Sequence, residues 1–477
     1  MQNNKNFAIV QIMKSDKHKR YLELREKFPE FEYKGFFKYE EDCSYVFEFH
    51  YKAGDEIEFF PTWKVTLNDH FQSFTHLPDI TNILLNLGMV EMISYWKAFC
   101  SPVIKTSAIK LTPEQKSWWK KLFRHGLAEF FHVNGIPQPG TDLFRFKSTR
   151  KASYFTDPFR TFWDDDRDDR VLLPVGGGKD SVISLEMVKA MGKKPVPFVV
   201  NPRKATDQVI KAAGFEWHQC VTIERQIDPL LLELNKKGYL NGHTPFSALL
   251  AFAALFVAQM AKIGTIALSN ESSANEATVP GTKINHQYSK SYEFEKDIRT
   301  YINNYIDKNV NYFSLLRPLN ELQIAERFSR HKKHHRVFKS CNVGSKEDIW
   351  CCNCSKCLFT YIILAPFLEA EKLIKIFGEN LFENEDLGKT LDALTGGSAE
   401  KPFECVGTLK EVNVALCALI DKHESAGVTL PLLLARYKNS EQYHHYKEIN
   451  IKDVLNEFNK EHFVKDEYLD VLMKRKV

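Results

Sequence analysis

The segment VLLPVGGGKDS, residues 171–181, constrains the fold more than any other part of the chain. A short apolar run, typical of a buried strand, ends at three glycines that lead into a helical pattern. The chain then alternates between strand-like and helix-like segments. The strand-like segments are residues 171–175, 196–201, 217–224 and 265–270, and the helix-like segments are 181–192, 206–214 and 245–261. This alternation predicts an α/β fold with a doubly wound parallel sheet.

The chain has 477 residues, which is too long for one ordinary domain, so we expect two or three. Residues 1–150 combine a hairpin pattern around Gly54 with helical patterns, and they are predicted to form an N-terminal α+β domain. Gly and Pro interrupt residues 131–142 as in a linker. The α/β domain is predicted at 165–370, and a mainly helical C-terminal region at 371–477.

The most apolar stretch is PFSALLAFAALFVAQMA, residues 245–261, which Ser247 and Gln259 interrupt. It is shorter than the roughly 20 residues that cross a bilayer, so a buried helix is predicted. The first residues lack the apolar core of a secretory signal. We therefore expect a soluble cytoplasmic protein without a membrane partner. The net charge of +4 does not by itself indicate nucleic acid.

The glycine loop has the composition of a phosphate-binding turn. It consists of Gly176, Gly177, Gly178, Lys179, Asp180 and Ser181. Glycines allow close backbone approach, and their N–H groups can converge on an anion ahead of a helix. Asp180 and Ser181 can cap that helix, and Lys179 and Ser181 can donate to phosphate oxygens. The spacing fits neither a Walker loop nor a dinucleotide fingerprint. A glycine turn before an ordinary helix is the alternative.

Polar residues follow two other predicted strands, where a doubly wound sheet binds its ligands. After the strand at 265–270 these residues are Asn270, Glu271, Asn275 and Glu276. Asp180 and Glu271 are candidate Mg²⁺ contacts, because Mg²⁺ prefers oxygen ligands. Arg203 and Lys204 follow the strand at 196–201 and can reach a phosphate or a carboxylate. Asn201, at the end of that strand, is a further candidate contact for the nucleotide. The alternative is a set of polar loops with helix caps.

Five of the ten cysteines lie between Cys341 and Cys357. Four of them, at Cys341, Cys351, Cys354 and Cys357, have the spacing C-x9-C-x2-C-x2-C. Such spacing suits a tetrahedral, structural Zn²⁺ site. Cys352 is a fifth candidate, so the sequence leaves the ligand set open, and free thiols are the alternative.

The GGGKDS loop resembles the SGGxDS loop of the PP-loop ATP pyrophosphatases, with Gly176 in place of the usual Ser. This resemblance implies an adenine-nucleotide α-hydrolase-like sheet. It also implies ATP and Mg²⁺ as cofactors, and adenylation of a substrate oxygen with release of pyrophosphate. The cysteine pattern resembles that of the 7-cyano-7-deazaguanine synthases, which are zinc-carrying PP-loop enzymes.

Further segments are similar to the ATP-dependent UDP-N-acetyl-α-D-muramoyl-L-alanyl-L-glutamate epimerases. They are residues 88–105, 269–295, 352–368 and 401–412. The similarity implies that a UDP-linked muramoyl dipeptide is the substrate and that its terminal L-glutamate is inverted to D-glutamate. The reaction would proceed through an acyl-adenylate, release AMP and pyrophosphate, and serve peptidoglycan precursor synthesis. The alternatives are a deazaguanine-synthase-like amide- or nitrile-forming ligase, and a tRNA- or nucleotide-binding PP-loop module.

Epimerisation requires an acid/base group near each face of the α-carbon. The candidates are Cys405, Glu404, His286 and Lys290. The pKa of a thiol can be tuned toward neutrality, which favours Cys405. A small buried apolar role for Cys405, and an ordinary hydrogen-bonded role for His286, are equally compatible with the sequence. The acid/base pair and the oligomeric state stay open.

Overall fold

The protein is described from a computed structural model. It describes residues 16–41, 43–66, 80–148, 169–278, 282, 284–398 and 400–474. Most of the N-terminal stretch searched for a secretory signal lies outside these ranges. The chain forms two compact units. Unit 1 comprises Met1–Asp168, Val221–Gly264 and Lys296–Val310, and unit 2 comprises Asp169–Cys220, Thr265–Glu295 and Asn311–Val477. Each unit combines separate segments, and the division into three continuous domains stays a prediction.

Eleven strands occur in the described residues. They are β1 (Glu30–Glu41), β2 (Ser44–Ala53), β3 (Ile57–Phe59), β4 (Thr62–Thr66), β5 (Val103–Thr106), β6 (Arg145–Ser148), β7 (Arg170–Pro174), β8 (Lys194–Val200), β9 (Val221–Gln226), β10 (Thr265–Leu268) and β11 (Asn311–Ser314). The predicted strands at 171–175, 196–201 and 265–270 correspond to β7, β8 and β10. The prediction at 217–224 begins too early, because Trp217–Gln219 form a short 3-10 helix before β9.

The α-helices are distributed along the whole chain. They are α1 (16–27), α2 (Thr81–Trp96), α3 (Pro113–Gly126), α4 (Ala128–Val133), α5 (Lys179–Ala190), α6 (Lys204–Ala212), α7 (Pro229–Lys236), α8 (Phe246–Ala261), α9 (Tyr292–Tyr305), α10 (Glu321–Phe328), α11 (Ser355–Leu364), α12 (Ala370–Phe377), α13 (Gly388–Thr395), α14 (Leu409–Ser425), α15 (Leu432–Lys438), α16 (Glu441–Tyr446), α17 (Ile451–Val454) and α18 (Asp466–Met473). After β11 the described residues contain helices and no strand.

Unit 1 contains a mixed sheet in the order β9-β4-β2-β1-β5-β6, with β3 also paired to β2. Alternate residues of β2 are buried, including Tyr45, Phe47, Phe49 and Tyr51, as expected for a strand with one face on a core. β2 and β3 pair antiparallel, which confirms the predicted hairpin. Gly54 lies in this turn with a left-handed φ of 61°, which glycine adopts without steric cost.

The helices of unit 1 include two that are mostly apolar and almost entirely buried. In α2 the buried residues run from Ile83 to Trp96 without a gap, and α8 packs against α2. Such helices belong in a core, and the buried-helix prediction for residues 245–261 is confirmed. Throughout the described ranges, no helix is both long and apolar enough to cross a membrane.

Unit 2 contains a parallel sheet in the order β11-β10-β7-β8. From β7 the chain adds β8 on one side, and it later adds β10 and β11 on the other. The strand order therefore reverses beside β7, and ligands of open α/β sheets bind at the carboxyl ends of strands at such a point. The α/β prediction with parallel strands is confirmed here, whereas the PP-loop type stays a prediction.

The core of unit 2 runs from this sheet into the C-terminal helices. α5 packs on β7, β8 and α10, and α11 packs on α10, α13 and α14. One contiguous apolar cluster extends from Val171 in β7 to Leu472 in α18. The sheet and the helices after β11 thus share one hydrophobic core, so residues on both are held in fixed positions.

Candidate functional site

The glycine loop connects β7 to α5 in unit 2. Gly178 is the N-cap of α5, and no side chain caps this described helix. The prediction that Asp180 and Ser181 cap it is therefore wrong, because both residues lie inside the first turn. Ser181 Oγ instead donates a 2.9 Å hydrogen bond to the Gly178 carbonyl. The backbone N–H groups at the start of α5 thus remain suited to an anionic ligand.

The shape of the loop requires glycine. Gly177 has a φ of 89°, and a Cβ there would lie 3.2 Å from the backbone N of Thr206. A Cβ on Gly176 would meet no heavy atom within 4 Å among the described residues. The loop is thus packed against α6 at Gly177 and open at Gly176, as a loop that lets a ligand approach its backbone would be.

Residues after β8 meet the same loop. Arg203 Nη2 donates a 3.3 Å hydrogen bond to the Gly176 carbonyl. Asn201, at the carboxyl end of β8, has a left-handed φ of 52°. The backbone N–H of Lys339, which sequence reasoning missed, donates a 3.0 Å hydrogen bond to the Gly177 carbonyl. The structure therefore brings Arg203 to the loop, although its present contact is with backbone.

Three acidic side chains converge beside the start of α5. Carboxylate oxygens of Asp180, Glu271 and Glu321 lie within 4.8 Å of one another; we call these residues the carboxylate cluster. Lys179 Nζ donates hydrogen bonds to Asp180 and Glu321. Clustered oxygen donors of this kind can hold a divalent cation. The donor set therefore fits Mg²⁺, and the buried Lys179 ammonium is consistent with a pocket that favours positive charge.

Burial and neighbouring charges perturb the titration of the cluster. Burial lowers the pKa of Lys179, but Asp180 and Glu321 raise it more, so the net direction is upward. Burial raises the pKa of Asp180, but Lys179 and Lys356 lower it more. Burial also raises the pKa of Glu321 to about 8, against the opposing effect of Lys179. Asp180 is thus the more firmly ionised acid of this pair, and Glu321 takes up a proton more readily.

Glu321 was not predicted from the sequence. It is the first residue of α10, whose N-cap is Asn320 in a capping box with Gln323. The Glu321 backbone N–H donates a 2.5 Å hydrogen bond to Glu411 Oε1 from α14. The Asn-x-x-Gln capping signature after an apolar run was the available signal. It marks a helix start, but it does not tell which cleft that start faces.

The second group of residues surrounds Cys405, in the segment 401–408 that we call the thiol loop. Lys290 Nζ lies 3.2 Å from Cys405 Sγ, and Lys356 Nζ donates a hydrogen bond to the Cys405 carbonyl. Burial raises the pKa of Cys405, but Lys290, a hydrogen bond with His286, and Lys356 lower it to about 6. The positive groups around the thiol thus favour its ionised form, as is typical of reactive cysteines.

The thiol loop and the carboxylate cluster are electrostatically linked. Burial lowers the pKa of Lys290, but Cys405 and Glu271 raise it more, and Asp180 acts in the same direction. Buried Arg317, which sequence reasoning missed, donates to the backbone carbonyls of Glu271, at 2.6 Å, and of Lys290. One guanidinium therefore fixes a residue of each group, and Cys405, Lys290 and Glu271 belong to one site.

Two predicted residues face other partners. Asn270 Nδ2 donates a 3.1 Å hydrogen bond to Ser314 Oγ at the end of β11. Burial raises the pKa of Glu404, and hydrogen bonds from the Asn342 side chain and the Lys356 backbone oppose this rise. Glu404 is adjacent to the thiol in sequence, but its carboxyl is directed to the cysteine-rich segment. Their functional roles stay predictions.

The cysteine-rich segment, residues 341–357, is called the cysteine knuckle. The Sγ atoms of Cys341, Cys351, Cys354 and Cys357 lie within 4.8 Å of one another. The distance is 3.9 Å from Cys341 to Cys354 and 3.8 Å from Cys351 to Cys357. A tetrahedral Zn²⁺ with Zn–S bonds of about 2.3 Å places its sulfurs about 3.8 Å apart. The knuckle can therefore hold a metal ion, and its geometry is compatible with structural zinc.

Cys352 does not join this group. Its Sγ donates a 3.2 Å hydrogen bond to the Phe377 carbonyl, and its backbone is left-handed with a φ of 56°. The left-handed residue turns its side chain away from the other four. The choice that the spacing left open is thereby resolved, and the candidate ligand set is the one predicted.

The chain matches the MurL N-terminal domain over residues 23–315 and the MurL C-terminal domain over residues 337–448. It is 35% identical to the UDP-N-acetyl-alpha-D-muramoyl-L-alanyl-L-glutamate epimerase of Salinispora tropica, across 71% of this chain and 73% of the relative. It is 31% identical to the protein of the same name from Xanthomonas oryzae pv. oryzae, across 71% and 74%. No solved structure gives a significant match. The resemblance predicted from sequence motifs is confirmed, and the chain belongs to the MurL family.

Proposed function

We propose that the protein is an ATP-dependent epimerase of the terminal glutamate in UDP-N-acetylmuramoyl-L-alanyl-L-glutamate. It would convert L-glutamate to D-glutamate, with release of AMP and pyrophosphate, for peptidoglycan precursor synthesis. The relatives named above bear the name of this epimerase. The structural observation that carries the proposal is the Cys405 thiol 3.2 Å from the Lys290 ammonium, in one site with a glycine loop and three carboxylates.

The chemistry explains why one site would need both parts. The α-proton of a free carboxylate is hard to remove, because the carbanion forms beside a negative charge. If a carboxylate oxygen attacks the α-phosphorus of ATP, a new P–O bond forms and the bond to pyrophosphate breaks. The resulting mixed anhydride is uncharged next to the α-carbon, so the proton becomes more acidic. Water later attacks the acyl carbon, and AMP leaves.

The glycine loop and the carboxylate cluster would serve the first half of this reaction. The backbone of Gly176–Gly178 and the start of α5 can receive phosphate oxygens. Asp180, Glu271 and Glu321 would hold Mg²⁺, which neutralises charge on transferring and departing phosphates when bound. Arg203 can contribute a further positive charge after a rotamer change. Lys179 keeps the carboxylates paired and oriented.

The thiol loop would serve the second half. The Cys405 thiolate is a base with a pKa close to the operating pH, as efficient proton transfer requires. Lys290 stabilises the ionised thiol at 3.2 Å and, as a partly exposed ammonium, can also attract the substrate carboxylate. His286 and Lys290 both contact the Cys405 thiol, so they act on the same side of the α-carbon as the thiol, and the group on the opposite face stays open. Glu404 acts on the position of the loop rather than on the carbon.

The test is an incubation in deuterated water with ATP, Mg²⁺ and UDP-N-acetylmuramoyl-L-alanyl-L-glutamate. AMP, α-deuterium and D-glutamate are measured in the same sample, and a reaction without ATP is the control. We expect all three products with ATP and none without it. AMP without α-deuterium would mean adenylation for ligation, as in the deazaguanine-synthase-like alternative. Deuterium exchange without ATP would contradict the adenylation step.

A further inference from the structure

The cysteine knuckle and the thiol loop share one residue, Lys356. It lies between Cys354 and Cys357 in the sequence, in the first turn of α11, whose N-cap is Cys354. Its ammonium donates a hydrogen bond to the Cys405 carbonyl, and only 9% of the residue is exposed. Its Nζ also lies 5.3 Å from the Phe359 ring centroid. Two cysteines of the knuckle thus flank a lysine whose side chain ends at the backbone of the reactive thiol.

A second contact joins the same two segments. The Lys356 backbone and the Asn342 side chain, both in the knuckle, lie close enough to the Glu404 carboxyl to oppose the rise in its pKa that burial causes. The first N–H groups of a helix have no partner within the helix, and a carboxylate there also interacts favourably with the helix dipole. Glu404 thus lies beside the start of α11. The knuckle therefore adjoins two consecutive residues of the thiol loop, and its direct hydrogen bond to the loop runs from Lys356 Nζ to the Cys405 carbonyl.

The ends of the thiol loop are fixed by different groups. Lys401 Nζ donates to the Gly407 carbonyl at 2.9 Å and pairs with Glu276. Thr408 caps α14 in a capping box with Glu411. These contacts involve no residue of the knuckle, so they persist when the knuckle is disturbed. We therefore expect a disturbance of the knuckle to change the positions of Glu404 and Cys405, while both ends of the thiol loop stay attached.

We propose that the cysteine knuckle positions the Cys405 thiol through Lys356, so that its metal ion governs the reactivity of that thiol in addition to local folding. The inference rests on the proposed function only for the role of Cys405 in proton transfer. Four thiolates closed around one ion fix the turn that carries Lys356, and loss of the ion frees that turn. Lys356 is thus a positioning residue that acts through the Cys405 backbone and the local charge.

The experiment compares three variants with the full-length parent. Lys356→Met removes the ammonium but keeps an apolar stem against Phe359, and Lys356→Arg keeps a positive charge. Lys346→Met, at an exposed lysine of the knuckle, is the matched control. Zinc content, circular dichroism and hydrogen exchange over residues 403–406 are measured for each. The alkylation rate of Cys405 by iodoacetamide is followed against pH by peptide mass spectrometry.

We expect Lys356→Met to keep its zinc and its fold. Its Cys405 should be alkylated more slowly below pH 7, and its residues 403–406 should exchange faster. If the thiol pKa rises by about one, the thiolate fraction, and hence the alkylation rate below the pKa, falls about tenfold. Lys356→Arg should restore most of the rate, and Lys346→Met should match the parent. The parent stripped of metal by a chelator should behave like Lys356→Met.

The proposal would be overturned if folded Lys356→Met showed the alkylation rate and the hydrogen-exchange rate of the parent. It would also be overturned if the parent kept both rates after its zinc was removed. If stripping unfolds the chain, the zinc-loaded Lys356→Met variant alone decides. The outcome is separable from the proposed function, because alkylation and hydrogen exchange need neither ATP nor muramoyl substrate. Lys356→Met could show the expected slower alkylation and faster hydrogen exchange while the parent incorporates no α-deuterium. That combination would support the positioning role of Lys356 and contradict the proposed epimerase function.

Discussion

The carboxylate cluster and the thiol loop both lie in unit 2, and both pair acids with lysines, but their charge balance is opposite. The cluster sets Asp180, Glu271 and Glu321 against one paired lysine. The thiol loop sets Lys290 and Lys356 against one thiol. Unpaired buried charge is costly, so each group is suited to a partner of the opposite sign. The cluster favours a cation, and the thiol loop favours an anion such as a carboxylate.

The two regions also show that burial alone does not decide an ionisation state. Burial raises the pKa of Glu321 to about 8 despite its contact with Lys179. At Cys405 burial acts in the same direction, but Lys290, His286 and Lys356 together lower the pKa to about 6. The neighbouring charges separate the outcomes, because Asp180 and Glu271 add to the rise at Glu321, whereas the groups that act on Cys405 are positive. The proposed division of labour between phosphate chemistry and proton transfer is based on that difference.

The largest expected effect tests the cluster. Asp180→Ala should reduce ATP-dependent AMP formation by about a thousandfold, because charge stabilisation by a bound metal is worth several kcal/mol. The measurement is AMP release by the purified, folded variant. Asp207→Ala is the control, since Asp207 forms an ion pair with Lys211 within α6. Parental AMP release from Asp180→Ala would remove the role assigned to the glycine loop and the cluster.

A smaller loss should separate the thiol loop from the cluster. Cys405→Ser should slow α-deuterium incorporation about 10²- to 10⁴-fold, the usual contribution of a general acid or base. AMP formation should fall less, because the serine leaves the cluster intact. The exposed Cys43→Ser variant is the control. Equal losses in the rates of AMP formation and deuterium incorporation would instead mean that the two regions act in one coupled step. An unchanged rate of deuterium incorporation would mean that another residue is the base.

The charge balance of the thiol loop can be tested by its pH dependence. Because the thiolate is the active form, exchange should rise with pH through the Cys405 pKa of about 6. Lys290→Met removes the nearest ammonium, so the pKa should rise and the rising limb should move to higher pH. If the pKa rises by about one, the exchange rate on the acidic side falls about tenfold. The exposed Lys296→Met variant is the control and should show the parental pH profile. If the rising part of the profile does not move in Lys290→Met, a group other than Cys405 titrates there.

The smallest effect concerns the attachment of the thiol loop. Thr408→Ala removes the N-cap of α14 and should lower the free energy of unfolding by about 1 kcal/mol. Urea denaturation measures this change, with Thr300→Ala on α9 as the control. Glu411, which also accepts the Glu321 N–H, loses its Thr408 hydroxyl donor but keeps the backbone donors. The ratio of AMP to deuterium should therefore stay parental, and a changed ratio would mean that the cap tunes the chemistry.

Local patterns in the sequence predicted much of this architecture. The hairpin, the buried helix α8, strands β7, β8 and β10, and the four clustered cysteines all depend on residues that are near one another in the chain. Their signals are periodicity, turn chemistry and ligand spacing. The glycine loop was identified for the same reason, although the caps proposed for α5 were wrong. Gly178 fills the cap position, which leaves Asp180 free to join the cluster.

The residues that complete the site escaped prediction because they arrive from distant segments. Glu321 looked like an ordinary helix start, and Glu411 looked like the second half of a local capping box. Lys356 looked like a spacer between two cysteines. Each has a local role that explains its presence, and its second role appears only when helices α10, α11 and α14 pack together. The local role can be predicted from a single sequence, but the role that depends on packing between distant helices cannot.

The interleaving of the two units has a consequence for how the chain is made. Strands β8 and β10 belong to unit 2, but Val221–Gly264, which separates them, belongs to unit 1. A ribosome adds roughly 5–20 residues per second, so β7 and β8 wait for several seconds before β10 emerges. During that interval the edge of β7 that pairs with β10 lacks its native neighbour. No single cut of the gene yields either unit whole, and truncated fragments should need the missing segment in trans, or a chaperone, to stay unaggregated.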